Sequence, residues 1–189
     1  DFTRVFKLGS ANFIKNKNKN KNKKTNDLLV ALDSEPNELF RMLDFCINFA
    51  RKNNKLNIIL RLHPIYKNKP EITRDILLKI EKITNLQISK KNLKEDLQKT
   101  KYLLFTDTAI CITCLSYNVV PIFFYNKFSN NIFDNNFPKK YVIKNMNDLK
   151  YILNDRNVNK LSPYFKNYRD KYFEEFNINP LKKIIKLKK

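Results

Sequence analysis

The chain is 189 residues long and 42% hydrophobic, enough to bury one core with a helical tail but not two full domains. Its net charge of +20 would ordinarily point to nucleic acid or an acidic membrane, but the excess is Lys, in a chain crowded with Asn and Ile that holds one Gly and no Trp. Those preferences follow A/T-rich codons, and no recognition module or base-reading Arg cluster is present, so nucleic acid is disfavoured as a partner.

The chain opens on Asp1 and enters directly on DFTRVFKLGSANF, which reads as the interior of a longer protein. Arg4 to Leu8 is predicted as an edge strand, with a turn at Gly9 and Ser10. Lys15 to Lys24, KNKNKNKNKK, has no apolar residue and reads as a disordered surface loop. Residues 1–27 are thus an edge strand and a Lys/Asn-rich loop, residues 28–153 the folded domain, and residues 154–189 a basic helical tail.

Leu28 to Leu32 is a short apolar strand, and Asp33-Ser34-Glu35-Pro36 carries the cap and early proline of a helix start. Leu39, Phe40, Leu43, Cys46, Ile47 and Ala50 recur at helical steps and form the face that covers a sheet; Asn53-Asn54 ends that helix. Ile58 to Leu62 is the next strand, with Arg61-Leu62-His63-Pro64 at its carboxyl end, where Pro64 forces the chain into a loop. Glu71 to Ile83 is a second amphipathic helix with Ile76, Leu77, Ile80 and Ile83 inward. Leu86 to Ser89 is a short strand, and Asn92 to Thr100 a short helix with Leu93 and Leu97 buried.

The centre of the chain is Lys101 to Tyr125, KYLLFTDTAICITCLSYNVVPIFFY. Tyr102 to Phe105 is an apolar strand, Thr106-Asp107-Thr108 a cluster of capping side chains, and Ala109 to Tyr117 a buried helix that Asn118 ends. A second buried strand follows at Pro121 to Phe124. Beyond it, Phe133-Asp134 is a loop element, Tyr141 to Lys144 a last strand and Met146 to Leu153 a helix. Tyr164 to Phe176 and Pro180 to Lys189 are further helices, predicted to lie across a partner domain or an acidic membrane face. Strand and helix alternate throughout, so the fold is expected to be α/β: a three-layer, Rossmann-like domain with a mostly parallel sheet and C-terminal helices. Ligands of such sheets sit at the carboxyl ends of the strands.

No stretch reaches the roughly 18 apolar residues of a membrane span and no basic-then-apolar leader is present, so the chain reads as soluble and cytoplasmic, with at most peripheral contact at an inner membrane. Cys46, Cys111 and Cys114 sit in apolar segments and read as small core residues. Cys111 and Cys114 lie within the buried helix with no second pair, and His63 is the only histidine, so no metal site is expected.

RLHP after the second strand, FTDT before the buried helix and CLSYNVVPIFF after it resemble the carboxyl-terminal, donor-binding half of a GT-B glycosyltransferase of the bacterial surface or capsule polysaccharide or sialyltransferase-like type. The likeness covers about Leu28 to Leu153. It implies that His63 is catalytic, that Pro64 completes an HP motif, and that Thr106, Asp107 and Thr108 form the donor corner, with Pro121 as the closing proline. Arg61 alternates to the other side of its strand from His63, and it is the length of its side chain that is expected to bring it to the cleft edge. Thr113 stands where such enzymes often hold the donor ribose or sugar with a glutamate, and Asn118 stands where they have glycine.

On this resemblance the expected function is binding a nucleotide-sugar for transfer onto a polysaccharide or lipid-linked acceptor, with no cofactor beyond the donor and no metal. The missing N-terminal domain of the same protein would carry the acceptor. Independently of the resemblance, N–H groups at a helix start flanked by hydroxyls can neutralise a phosphate, and a strand-end His can donate to it. The alternative is a non-catalytic Rossmann-like module that binds through its basic tail.

Overall fold

The computed structural model describes residues 25, 27–127, 133, 137–155, 161–172, 179 and 182. The predicted strand at Arg4 to Leu8, the Lys15 to Lys24 run and the helix at Pro180 to Lys189 fall almost wholly outside them.

Among the described residues six strands form one sheet: β1 (Leu28–Ala31), β2 (Ile58–Arg61), β3 (Leu86–Ile88), β4 (Tyr102–Phe105), β5 (Val120–Phe124) and β6 (Val142–Ile143). Their order is β3-β2-β1-β4-β5-β6, and every pairing is parallel. β1, β4 and β5 are buried at every position, which is why they read as unbroken apolar runs rather than alternating ones. Among the described residues six α-helices connect or flank the strands: α1 (Pro36–Lys52), α2 (Pro70–Ile80), α3 (Leu93–Lys99), α4 (Ile110–Ser116), α5 (Met146–Asn154) and α6 (Pro163–Tyr172). The chain winds outward from β1 to β3, crosses back to β4, and winds outward again. Right-handed crossovers then put the helices of the two halves on opposite faces, giving three layers. This is the expected α/β Rossmann-like architecture.

Local chemistry explains most boundaries. Glu35 caps α1 by accepting the Glu38 N–H at 2.8 Å, with Pro36 in the first turn. Asn145 and Asp148 form a reciprocal capping box on α5. Asn85 ties the corner between α1 and β2, donating to the carbonyls of Ala50, Asn53 and Leu56 at 2.9 to 3.2 Å. α4 ends with Asn118 at φ 53°, the Asn118 N–H reaching Leu115 O and the Val119 N–H reaching Cys114 O, both at 3.1 Å. That is a Schellman ending, with Asn in the left-handed position that glycine usually takes.

Pro121 lies inside the sheet, opposite Leu103 of β4. The Val120 N–H faces β4 through Lys101 O, and the Tyr125 N–H faces β6 through Ile143 O. Alternation puts position 121 on the β6 side, and β6 pairs only from Phe123 onward. The proline therefore sits on a locally open edge and interrupts no ladder bond.

Three expectations need correction. Leu77 points outward at 51% exposure, because α2 buries only Ile76 and Ile80 and ends at Ile80 rather than Ile83. The stretch after His63 is not loop: Pro64–Asn68 forms a 3-10 helix with Pro64 in its first turn. α6 lies against its own domain, with Phe165 and Tyr168 buried beside Phe133 and Arg169 donating to Asn118 Oδ1 at 3.1 Å. The three cysteines are buried thiols, as expected of core residues.

Candidate functional site

Winding outward in both directions from β1 and β4 leaves a crevice between their carboxyl ends, the switch point where parallel sheets bind ligands. Asp33 follows β1 and Thr106 follows β4. The Thr106 hydroxyl donates to Asp33 Oδ2 at 2.7 Å, and both residues are buried. Asp33 Oδ1 accepts the Glu35 N–H at 3.0 Å, which locks the carboxylate against the start of α1. Glu38, one turn into α1, pairs with Arg41 at 2.7 Å and accepts from Asn126, just past β5, at 2.5 Å. The start of α1 is therefore filled by its own carboxylates, which makes it a poor seat for an anion.

Thr106 does not cap α4. That helix has seven residues and Ala109 at its start, with no side-chain cap. The hydroxyl is turned to Asp33 instead. Asp107 is exposed and Thr108 is half-buried before the first turn, while Thr113 is half-buried on α4 itself.

His63 lies two strands away, after β2. Its Nδ1 accepts the Ile65 N–H at 3.3 Å and so caps the 3-10 helix. In the neutral ring this leaves Nε2 carrying the proton, as a donor. A pocket of about 290 Å³ surrounds it, lined also by Arg61, Pro64, Lys67, Lys90 and Lys91, with no carboxylate in its wall. Lys67, Lys90 and Lys91 form no ion pair among the described residues. The crowding of positive charge is visible at exposed Lys99, whose amine is held below its ordinary value by a side-chain hydrogen bond to Lys91 and by that residue's like charge. Arg61 is committed elsewhere: it pairs with Asp96 at 2.8 Å and donates to Lys91 O at 3.0 Å. Asp96 is 2% exposed and also accepts the Ser89 hydroxyl at 2.7 Å.

Thr106, Asp107 and Thr108 do not line the His63 pocket. The two places are joined through Tyr66, which lines that pocket and donates to Ser34 O at 2.6 Å, next to Asp33. Burial raises the Tyr66 phenol above its ordinary value, and the Asp33 and Glu35 carboxylates push it in the same direction. A groove of about 670 Å³ adjoins the pocket, shares Ile88, Ser89, Lys90 and Lys91 with it, and is walled by the outward Leu77 and Leu78.

Asp33, Lys67, Lys90 and Lys91 were not among the expected site residues. An acid placed directly after the first strand, and two lysines directly after the third, are signals that strand-end position alone could have supplied. Among the described residues no group of three His, Cys, Asp or Glu side chains is placed to hold a metal ion. No described helix is long and apolar enough to cross a membrane.

No protein-family model matches the sequence, and no curated protein matches it. Solved structures do share the fold. The structure of TarM superposes over 99% of this chain and 39% of its own length, with a TM-score of 0.55 and 19% identity. The S. aureus MnaA–UDP co-structure covers 94% of this chain and 50% of its own, at TM-score 0.54 and 13% identity. The Methanocaldococcus jannaschii UDP-GlcNAc 2-epimerase, in complex with UDP-GlcNAc and UDP, covers 83% and 48%, at TM-score 0.50 and 14% identity. The chain spans 39 to 50% of the length of these proteins. The shared property is the fold, an α/β Rossmann-like domain with a parallel sheet.

Proposed function

We propose that the chain is the donor-binding half of a glycosyltransferase, taking a nucleotide-activated sugar during surface polysaccharide synthesis in the cytoplasm. The observation that carries this reading is the arrangement along one sheet edge: a carboxylate-free, cationic pocket at His63 beside a carboxylate–hydroxyl pair at the switch point. Phosphate belongs at the first, where His63 Nε2 donates and Lys67, Lys90 and Lys91 supply charge. Ribose or sugar hydroxyls belong at the second, where Asp107 and Thr108 offer acceptors and a donor beside the buried Asp33–Thr106 pair. Two fold neighbours hold UDP, one of them with UDP-GlcNAc as well, which is consistent with a nucleotide ligand.

In transfer, the sugar–phosphate bond breaks and negative charge grows on the leaving phosphate. His63 stabilises it by hydrogen bond or proton, and the lysines by charge. The acceptor, polysaccharide or lipid-linked, and the base that activates it belong to the rest of a longer protein. Thr113 favours a second reading: it is half-buried on α4 where the family often has a glutamate, so the domain could bind a nucleotide without turnover.

The test is calorimetric titration of UDP and CMP at fixed salt into wild type and His63→Ala. Loss of the imidazole weakens binding by about 1.5–3 kcal/mol, the worth of a charge-assisted hydrogen bond. Equal affinity in the two proteins, or binding abolished by modest salt in both, rejects the donor site.

A further inference from the structure

At the opposite end of the sheet, far from the switch point, a pocket of about 360 Å³ opens between the last turns of α1 and α5 and the first residue of β4. Its deepest residues are Phe49 and Tyr102, 2% and 1% exposed. Leu153 is half-buried above them, and Lys52, Lys55 and Lys150 stand exposed around the mouth, with no carboxylate among the lining residues. None of these lysines forms an ion pair among the described residues.

Tyr102 supplies the second, independent observation. Its hydroxyl is buried and has no hydrogen-bond partner, the one such side-chain atom among the described residues. A buried phenol without a partner is destabilising and uncommon, so the atom calls for an occupant. Its backbone is held in the sheet between Leu28 and Val120, and Tyr102 lines the pocket together with Phe49 and Leu153. The corner above is rigid, since Asn85 bonds three of its carbonyls.

We propose that this pocket binds a small organic anion. Its apolar body lies against Phe49 and Leu153, its anionic group meets the lysines at the mouth, and a hydrogen-bonding group at its far end pairs with Tyr102. Such a ligand satisfies the phenol, the apolar floor and the unpaired cations together. Water alone satisfies only the first. The site is independent of the nucleotide site proposed above and stands whether or not that reading holds.

The probes are 4-hydroxybenzoate and benzoate, which share a carboxylate and a ring and differ only in the far hydroxyl. Binding is measured by calorimetry on wild type, Tyr102→Phe, the double variant Lys52→Ala/Lys150→Ala, and His63→Ala. The expected result is that wild type prefers 4-hydroxybenzoate, and that Tyr102→Phe removes this preference, a change of roughly three- to tenfold, while leaving benzoate unaffected. The double lysine variant weakens both probes, and His63→Ala binds both as wild type does. The proposal is overturned by absence of saturable binding, by a preference that survives in Tyr102→Phe, by lysine variants that bind as wild type, or by loss of binding in His63→Ala. Tyr102→Phe changes no shape, so unfolding does not obscure the outcome.

Discussion

The Thr106 hydroxyl and Asp33 Oδ2, 2.7 Å apart, join the carboxyl ends of the two central strands through buried groups. Thr106→Val keeps the shape and removes the donor, leaving a buried carboxylate oxygen short of a partner. The expected loss is about 1–3 kcal/mol, read as a lower urea midpoint at unchanged slope, with Thr106→Ser close to wild type. A Thr106→Val protein as stable as wild type would show that the carboxylate finds other donors.

Arg61 and Asp96 are unequal partners, with side-chain exposures of 23% and 2%. Removing Arg61 strands a buried charge, whereas removing Asp96 leaves a cation that can turn to solvent. Arg61→Ala should therefore destabilise by about 3–5 kcal/mol and Asp96→Ala by clearly less. Nucleotide titrations of Arg61 variants then need a parallel denaturation curve, because lost folding would mimic lost binding. The reverse order of the two losses would refute the asymmetry.

Asn118 holds the left-handed turn after α4 and accepts from Arg169 of α6. Asn118→Gly keeps the turn and drops only an exposed hydrogen bond, so its thermal midpoint stays near that of wild type. A β-branched residue cannot adopt this φ without strain, and Asn118→Val should lose about 1–3 kcal/mol. Equal midpoints for the two variants would show that the turn relaxes.

Burial pushes the Cys46 thiol well above its ordinary value of 9.0 and the Cys111 thiol up to about 12. The Tyr66 phenol is raised as well. For a group raised in the folded state, the stability it contributes is complete below the unfolded value and fades as pH climbs toward the folded one. Stability is therefore expected to fall from about pH 9 toward pH 12, and a Cys46→Ala/Cys111→Ala variant should fall less steeply. At neutral pH both thiols stay protonated, so alkylation in the native protein should be slow and should become fast in denaturant. A wild-type alkaline limb no steeper than that of the variant would contradict this.

Fold class and strand positions were legible because β1, β4 and β5 are buried on both faces, so Leu28 to Leu32, Tyr102 to Phe105 and Pro121 to Phe124 stand out as apolar runs. The Asn118 turn was legible because few residues besides glycine and asparagine take that conformation. The Thr106 to Thr108 corner was located, but the role of Thr106 was not. A threonine before a helix reads as a cap, and only tertiary structure reveals Asp33 as a nearer partner. Leu77 misled because helical spacing cannot tell a face packed on the sheet from one that walls a groove. The likeness that assigned both the His63 motif and the Thr106 corner to one donor site carried no distances, and β1 lies between their strands. Lys67, Lys90 and Lys91 were hidden by the Lys-rich composition, which gives every surface a similar look.

Among the described residues the sheet ends on β3, three residues long, and β6, two residues long. An intruding strand from another molecule needs a run of unpaired N–H and C=O groups to bind, and such short margins present very few. In a chain with 15 Phe, whose central strands are apolar throughout, this brevity acts as a guard against fibrous self-association. The most adhesive segments lie in the middle of the sheet, and the margins where another molecule could dock are those with least to offer it.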